Sequence, residues 1–427
     1  MAQPAVLRGR NALFISSAFT ASRNRAVGDA ASWYTKGSRR EAGPVAVQKA
    51  FRFPDGLDAA AFLAGHWQRR PLFCPRALDA AAWVIEAEDL LSVAMEDGAS
   101  ARLVTREGEH FCLENGPFEE DRLDALPEDC WSVLVQAMEV WEPRYHGLIA
   151  LFGFLPRWRI DDVMISLAGE GGGVGPHVDQ YDVFLCQVAG RRRWSVGGPV
   201  SPFIEDAPLR LLSRFTPEAE VIAEPGDVLY LPPGMPHDGV ALDDGCTTIS
   251  VGFRAPGLID LADRLAEAAA DRWQDAVENE PRFGDAGREV AGDPFALTGP
   301  DLARARAILQ GALDDDGLVA RLLGEQVTMP RLPPPPPEEP IDGDTVLTRL
   351  ATGERLERWS GSRLAHHRLA GGGGLLFADG ESLSCDAGLA AWIAGRDTVT
   401  RRDLASRPEA RELLAELVNR GCFGFLR

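Results

Sequence analysis

The sequence predicts an α+β protein in which a β sandwich or barrel is followed by helices and then by a small αβ module. Three observations carry this prediction. Short β-type runs separated by Gly and Pro fill residues 160–253, at a spacing that leaves no room for βαβ units. After Pro256 the apolar residues recur with the 3.6-residue period of amphipathic helices, and a proline-rich run then marks a boundary. A chain of 427 residues is long enough for two or three such domains.

The first 50 residues differ in composition from the rest of the chain. They contain both of its lysines, Lys36 and Lys49, only two acidic residues, and no clear hydrophobic period. They also lack the continuous apolar region of a secretory signal. We therefore predict a disordered basic extension, or a translation start placed too far upstream, and no folded structure in either case.

The globular part begins at Phe51, and the pattern of its apolar residues changes three times along the sequence. A helix is predicted within "LDAAAFLAGHWQRRPLF", and the β runs follow it up to residue 256. Residues 257–332 are predicted to form helices ("LIDLADRLAEAAADRWQDAV", "DLARARAILQGAL" and "GLVARLLGEQV") whose apolar faces must be covered, for example by a second copy of the chain. The run "PPPPPEEP" predicts an extended, solvated linker over 333–341.

The final segment, 342–427, combines the strand-like "GLLFADGES" with two helices, "LAAWIAGR" and "PEARELLAELVNRG". This αβ pattern is typical of a winged-helix-like module. It carries 12 basic and 12 acidic residues, so it lacks the net basic charge of a DNA reader. We predict a structural or protein-contact role for it and no direct binding of DNA.

The charge of the chain is strongly acidic and unevenly distributed. The net charge is −20, and residues 51–340 hold 50 acidic side chains against 24 arginines. Such a body repels naked nucleic acid and attracts basic partners, although acidity also simply keeps proteins in solution. No apolar run approaches the roughly 20 residues that cross a bilayer, so we expect no membrane segment.

Seven scattered cysteines indicate a reducing compartment, which predicts a cytoplasmic protein. Their number is odd and none forms a Cys-x-x-Cys pair, which argues against a disulfide framework and a zinc ribbon. They are Cys74, Cys112, Cys130, Cys186, Cys246, Cys385 and Cys422.

A metal site is predicted by the stretch "GPHVDQYDVF" together with "EPGDVLYLPPGMPHDGVAL". In an extended strand His177 and Asp179, two residues apart, point to the same side. His237 begins another strand after a Pro-Pro-Gly turn, and antiparallel strands can bring it onto the same wall. Two histidines and one carboxylate are the ligand set of Fe(II) oxygenases. The alternatives are that His237 caps a turn and His177 is a buried donor, or that the site holds zinc.

An oxygenase of this kind also needs a cation for an anionic cosubstrate, and "GRRRWSVG" offers one. Alternation along a strand sends Arg192 to one side and Arg191 and Arg193 to the other. A buried guanidinium suits a carboxylate because it donates two parallel hydrogen bonds. We favour a surface position for Arg191 and Arg193. The glycine run "GEGGGVG" lacks the ending of a phosphate loop and suits a backbone that approaches a metal or substrate closely.

The stretches from "WRIDDVMISLAGEGGGVG" to "RRRWSVG", with "EPGDVLYLPPGMPHDGVAL" and "SVGFRAP", resemble the bacterial ribosomal oxygenases of the JmjC/cupin type. The resemblance runs from Phe51 to the C-terminus and is most specific over residues 158–256. It implies a double-stranded β-helix, or jelly roll, followed by a helical dimerisation region and a C-terminal winged-helix domain. It also implies Fe(II)-, 2-oxoglutarate- and O2-dependent hydroxylation of the β-carbon of an arginine in the sixteenth protein of the large ribosomal subunit.

The same resemblance assigns a role to each candidate site residue. Position by position, it implies His177, Asp179 and His237 as iron ligands, Arg192 and Ser166 as 2-oxoglutarate contacts, and Asp162, Tyr181 and Ser250 as substrate contacts. It implies a basic ribosomal protein as substrate and a homodimer. The alternatives are an oxygenase of the same fold with another substrate, such as a different ribosomal protein, a methyl-lysine or a small molecule, and a catalytically silent cupin scaffold.

Overall fold

The structure is a computed structural model, and it describes residues 50–273, 281–284, 286, 297–335, 337 and 339–426. The predicted N-terminal extension, apart from Ala50, lies outside these residues. So does the end of the first predicted helix after Pro256, beyond residue 273. The predicted order of a β domain, helices and a small αβ module is confirmed within the described residues.

Two antiparallel sheets form the centre of the molecule. The larger has eight strands in the order β1-β10-β7-β12-β5-β4-β2-β3, and the smaller has four in the order β6-β11-β8-β9. The strands are β1 Leu72–Cys74, β2 Ala101–Glu107, β3 His110–Asn115, β4 Trp131–Val135, β5 Ile160–Ala168, β6 His177–Val178, β7 Asp182–Ala189, β8 Arg192–Val196, β9 Ala219–Ala223, β10 Val228–Leu231, β11 Pro236–Ala241 and β12 Cys246–Phe253.

Alternation along strand β7 explains how the sheets are covered. Phe184 and Cys186 point to the large core beneath the eight-stranded sheet, whereas Val183 and Leu185 point toward the four-stranded sheet and pack with Trp194. Strand β7 is therefore buried on both faces, which its nearly continuous apolar sequence predicts. The polar cleft described below opens between the same two sheets.

Short helices pack on the outer face of the large sheet, and longer ones follow the β domain. The first group comprises α1 Ala59–Gly65, α2 Ala87–Ala94, α3 Glu120–Asp124, α4 Met138–Trp141 and α5 Tyr145–Ala150. The second comprises α6 Leu258–Trp273, α7 Gly299–Leu313 and α8 Asp316–Thr328, which agree with the three periodic runs in the sequence. Helix α1 begins where the Asp58 carboxylate accepts the N–H of Ala61.

The C-terminal module has more elements than the sequence predicts. Its helices are α9 Gly343–Ala351, α10 Ala387–Ala394, α11 Arg401–Ala405 and α12 Arg411–Asn419, and its strands are β13 Arg355–Arg358, β14 Leu364–Arg368, β15 Gly373–Ala378, β16 Glu381–Asp386, β17 Thr398–Val399 and β18 Phe423–Leu426. Helices α10 and α12 agree with the prediction. Helices α9 and α11 are missed. Only three residues of α9 are buried, and α11 is only 5 residues long.

The proline-rich linker is not fully solvated, which corrects the prediction for Pro334 and Pro335. Pro334 and Pro335 are half-buried, and a side chain at Gly421 would meet the Pro335 carbonyl oxygen at 2.5 Å. Pro334 and Pro335 therefore lie against the C-terminal module. Within the part of the chain that the structure describes, no helix is long and apolar enough to cross a bilayer.

Candidate metal and cosubstrate site

A cleft with an empty volume of about 720 Å³ opens between the two sheets. Strands β4, β5, β7 and β12 form one wall, and β6, β8 and β11 form the other. Every site residue singled out from the sequence lines this cleft: Asp162, Ser166, His177, Asp179, Tyr181, Arg192, His237 and Ser250. The structure thus brings together residues from positions 162 to 250 of the chain.

His177, Asp179 and His237 converge at one point of the cleft. The Nε2 atoms of both histidines lie 3.8 Å from the same carboxylate oxygen of Asp179. The three ligand atoms all lie within 4.8 Å of one another, a spread that one cation spans with bonds of about 2–2.5 Å. Among the described residues this is the one cluster of three His, Cys, Asp or Glu side chains with such geometry.

Backbone hydrogen bonds orient both imidazole rings toward this point. The Nδ1 atom of His177 lies 2.8 Å from the Gly175 carbonyl oxygen, and that of His237 lies 2.9 Å from the Met235 carbonyl oxygen. A carbonyl accepts a hydrogen bond, so each Nδ1 carries the proton and each Nε2 keeps a free lone pair. Each ring therefore bonds a nearby backbone carbonyl, as the alternative interpretation proposes for His237 at its turn, and still presents a metal-binding nitrogen.

Burial keeps the His237 imidazole neutral, which is the form that can bind a cation. Its loss of hydration, together with the neighbouring His177, lowers the pKa of His237 to about 4, against the opposing attraction of Asp179. A neutral imidazole is the form that coordinates a metal. The donor set therefore fits Fe(II), and it also fits other divalent metals that accept two nitrogens and one oxygen.

The positively charged guanidinium of Arg192 lies deep in the cleft and has few hydrogen-bond partners. The residue is 4% exposed, and its Nη1 donates to the Gly239 carbonyl oxygen at 3.3 Å. Its Nε and Nη2 are buried without a partner among the described residues. Unsatisfied donors on a buried charge are costly, and a carboxylate ligand would satisfy both at once. Arg193 is exposed, and Arg191 pairs with Asp243 at the surface, as the alternation predicts.

The glycine run before β6 lets the backbone pass close to strand β11. A side chain at Gly173 would meet the Gly239 carbonyl oxygen of β11 at 2.4 Å, and Gly175 has a φ of +77°. The backbone approaches the neighbouring strand closely before it turns to begin β6. The run thereby sets the position of His177.

Ser166, Ser250 and Tyr181 line the same cleft as the metal-binding residues. Ser166 is buried, and its hydroxyl lies 3.5 Å from the Thr248 carbonyl oxygen. Ser250 is 7% exposed and Tyr181 is 38% exposed, so Tyr181 is the more accessible of the two. Thr248, which was not predicted from the sequence, lines the cleft and donates its hydroxyl to the Gln187 amide oxygen at 2.8 Å.

The Asp162 carboxylate on the cleft wall has a cationic neighbour, the guanidinium of Arg331, which is distant in the sequence. The Nη2 atom of Arg331 is 3.7 Å from the Asp162 carboxylate and also bonds the Asp161 carboxylate. Burial raises the pKa of Asp162, Arg331 opposes the shift, and Asp161 adds to it. Burial and Asp162 likewise raise the pKa of the nearby Glu139 to about 7. No sequence signal marks Arg331, which lies in an irregular segment after α8.

Two parts of the chain match known protein families. Residues 147–261 match the profile of a JmjC domain, and residues 311–423 match that of a ROXA-like winged helix. The chain is 34% identical over 378 residues to the ribosomal protein uL16 3-hydroxylase of Escherichia coli, which covers 85% of this chain and 96% of that protein. It is 39% identical over 222 residues to a probable ribosomal oxygenase of Haemophilus influenzae, covering 51% of this chain and 54% of that protein.

Solved structures agree with these sequence relatives. The chain matches YcfD, a ribosomal oxygenase from Escherichia coli, in complex with cobalt and 2-oxoglutarate, with a TM-score of 0.75 and 32% identity. That match covers 89% of this chain and all of the solved one. The complex of YcfD with cobalt and succinic acid matches with a TM-score of 0.74 over the same shares. The similarity therefore extends over nearly the whole described fold.

Proposed function

This chain belongs to the JmjC-type ribosomal oxygenases, and we propose on that premise that it hydroxylates the β-carbon (C3) of an arginine in ribosomal protein uL16. The reaction is dependent on Fe(II), 2-oxoglutarate and O2. The observation that carries the proposal is the meeting of two imidazole Nε2 atoms and one carboxylate in a cleft that also contains the buried guanidinium of Arg192, whose Nε and Nη2 have no partner among the described residues. A relative from Escherichia coli, which aligns with this chain over 96% of the relative's own length, is a uL16 3-hydroxylase.

In this proposal His177, Asp179 and His237 hold the iron. Three protein ligands on one side leave positions for the cosubstrate and oxygen. The Nδ1 hydrogen bonds keep the two rings in place when the metal is absent, so little ordering is needed on binding. When bound, Fe(II) would activate O2 with the two electrons supplied by decarboxylation of 2-oxoglutarate, so that one oxygen atom of O2 enters succinate and the other enters the substrate C–H bond.

Arg192 and Ser166 bind 2-oxoglutarate in this assignment. The two free guanidinium donors of Arg192 match the two oxygens of a carboxylate, and the surrounding apolar wall of Val183, Leu185 and Trp194 lowers the local dielectric. Ser166 offers a hydroxyl on the facing strand β5. The chain thus orients the cosubstrate and excludes water around it.

Asp162, Tyr181 and Ser250 are proposed to contact the substrate arginine. Their support is position: all three line the same cleft as the metal-binding residues, and Tyr181 is exposed at its mouth. A carboxylate and two hydroxyls can receive and orient a guanidinium group. The net negative charge of residues 51–340 would attract a basic ribosomal protein over longer distances.

Anaerobic reconstitution tests the function directly. The purified protein is loaded with Fe(II) and 2-oxoglutarate, mixed with overlapping uL16 peptides, and exposed to O2. We expect succinate and one peptide that gains a single oxygen atom on an arginine. Hydroxylation of another ribosomal protein or demethylation of a methyl-lysine would support the same-fold alternative, whereas an absence of iron-dependent succinate would indicate a silent scaffold. Isomerase or hydrolase activity with zinc would support a zinc cupin.

We also propose a homodimer, a cytoplasmic location and the predicted domain boundaries. Leu302, Leu309 and Leu313 share one face of α7 and are 55%, 64% and 48% exposed, so a second copy could cover them. The seven cysteines are free among the described residues, which suits a reducing compartment. The proposed domains are 51–256, 257–332, 333–341 and 342–427. Light scattering of the wild type and of Leu309→Glu measures the dimer.

A further inference from the structure

We infer that Arg331 is a specificity-determining residue of the substrate cleft, where its guanidinium holds the Asp162 carboxylate charged and oriented for a cationic substrate side chain. The inference rests on the proposed function and assigns that site a residue from outside the JmjC domain. Arg331 follows helix α8 and lies beyond residues 147–261, which match the JmjC profile. It nonetheless lines the cleft that contains the metal-binding residues.

Three carboxylates, those of Glu139, Asp161 and Asp162, meet beside the cleft. The Glu139 and Asp162 side chains are almost wholly buried. The Asp162 carboxylate accepts the Ala137 N–H at 3.3 Å, a long bond that does not by itself compensate a buried charge. Without a nearby cation, Asp162 would take up a proton and lose its attraction for a guanidinium.

Arg331 is the cation best placed to keep Asp162 charged. The cluster contains the guanidinium groups of Arg254, Arg331 and Arg363. Arg254 is occupied by Asp161 and by backbone carbonyls near the end of α8, and Arg363 donates to the carbonyls of Ile160 and Asp161. Of the three, Arg331 is the one that lines the cleft and forms an ion pair with Asp162.

Both the β domain and the C-terminal module hold the segment that carries Arg331. Arg254 donates to the carbonyls of Gln326 at 3.1 Å and Met329 at 2.6 Å, which fixes the end of α8 against the β domain. From the other side, the Gly380 N–H of the C-terminal module donates to the Thr328 hydroxyl at 3.1 Å. The Nε of Arg331 is buried without a partner among the described residues, so Arg331 retains a donor near the substrate cleft.

The test compares Arg331→Gln, Arg331→Lys and a matched control, Arg321→Gln. Arg321 lies on α8 and bonds Ser382 and Ser384 of the C-terminal module, so its removal disturbs the same contact between modules away from the cleft. Each protein is assayed with the uL16 peptide that the wild type hydroxylates and with the same peptide carrying citrulline, the uncharged analogue of arginine. Peptide affinity is also measured by fluorescence anisotropy, and thermal unfolding checks the fold.

For Arg331→Gln we expect the KM and the Kd of the arginine peptide to rise about tenfold or more, with the cosubstrate KM unchanged. The preference for arginine over citrulline should fall by a similar factor, because the uncharged Asp162 no longer distinguishes them. Arg331→Lys should keep the preference within about threefold of wild type, since it retains the charge. Arg321→Gln should behave as the wild type.

Three results would overturn the inference. An unchanged peptide KM and preference in Arg331→Gln would remove the role in specificity. A lower peptide KM would mean that Arg331 competes with the substrate for Asp162. If Arg331→Gln does not fold, Arg331→Lys tests the inference instead. Complete loss of the preference for arginine over citrulline in Arg331→Lys would contradict a role based on the charge of Arg331. A wild-type protein that hydroxylates no uL16 peptide would instead contradict the proposed function, and the inference would fall with it.

Discussion

His177 and His237 lie directly opposite each other on the paired strands β6 and β11, with ring centroids 4.2 Å apart. This pairing determines the metal site, because a shift of one residue in the register would turn one ring to the other face of the sheet. The glycine-rich approach to β6 and the Pro-Pro-Gly turn before β11 both limit such a shift. The site therefore depends on strand register as much as on the ligands themselves.

Removal of the His177 imidazole should abolish metal-dependent turnover. His177→Ala leaves one nitrogen and one carboxylate, and we expect the affinity for Co(II) or Fe(II) to fall more than about 100-fold. Anaerobic metal titration and succinate formation measure the two effects. His366→Ala, at an exposed position on β14, is the control. Succinate release at the wild-type rate in His177→Ala would contradict the ligand assignment.

Replacement of Arg192 should weaken the binding of 2-oxoglutarate without disturbing the metal. Arg192→Met removes the buried guanidinium, and we expect the cosubstrate KM to rise about 100-fold, since a buried carboxylate would lose its charged partner. Arg193→Met, at the exposed neighbouring position, should leave this KM unchanged. Equal effects of the two variants would argue against a cosubstrate role for Arg192.

His146, half-buried near the C-terminal module, should make the protein less stable in weak acid. Burial, with Arg157 and Arg358, lowers the pKa of His146 to about 4 from its ordinary value of 6.5. The unfolded chain therefore binds more protons between these values, so stability is lost as the pH falls from about 6.5 toward 4. This one residue accounts for about 2 kcal/mol between pH 7 and pH 5.

Urea unfolding at both pH values measures this loss in the wild type and in His146→Gln. The variant should lose about 2 kcal/mol less than the wild type between pH 7 and pH 5. His367→Gln, at an exposed position, serves as the control. If the wild type and His146→Gln have the same pH dependence, protonation of His146 does not contribute.

The acidic surface should make the reaction with a basic substrate sensitive to salt. Because residues 51–340 carry a large excess of negative charge, kcat/KM for a basic uL16 peptide should fall as the ionic strength rises. The cosubstrate KM should change much less, because a buried residue binds 2-oxoglutarate. A peptide kcat/KM that is independent of salt would exclude electrostatic steering.

Local patterns in the sequence predicted much of the site. Alternation around Arg192 separated the buried arginine from its exposed neighbours, and the turn before His237 placed that histidine near the start of a strand. These features depend on residues within a few positions of each other, so they can be inferred from the chain. The roles of the individual residues remain predictions until they are measured.

Contacts between distant segments could not be predicted in the same way. Arg331 reaches Asp161 across 170 positions, and its location depends on hydrogen bonds from Arg254 to backbone carbonyls. Backbone carbonyls have no sequence signature. The linker was predicted to be solvated because its prolines form no regular structure, yet Pro335 lies against Gly421. Helix α9 is missed because only three of its 9 residues are buried.

The central claim is that the cleft adds oxygen to one arginine of uL16, and mass analysis of uL16 tests it most directly. Ribosomes from a strain lacking this protein should contain unmodified uL16, and incubation of that uL16 with the enzyme, Fe(II), 2-oxoglutarate and O2 should add one oxygen atom at an arginine β-carbon. The Arg192→Met variant should add far less at the same cosubstrate concentration. Unmodified uL16 after incubation with active, succinate-forming enzyme would contradict the claim.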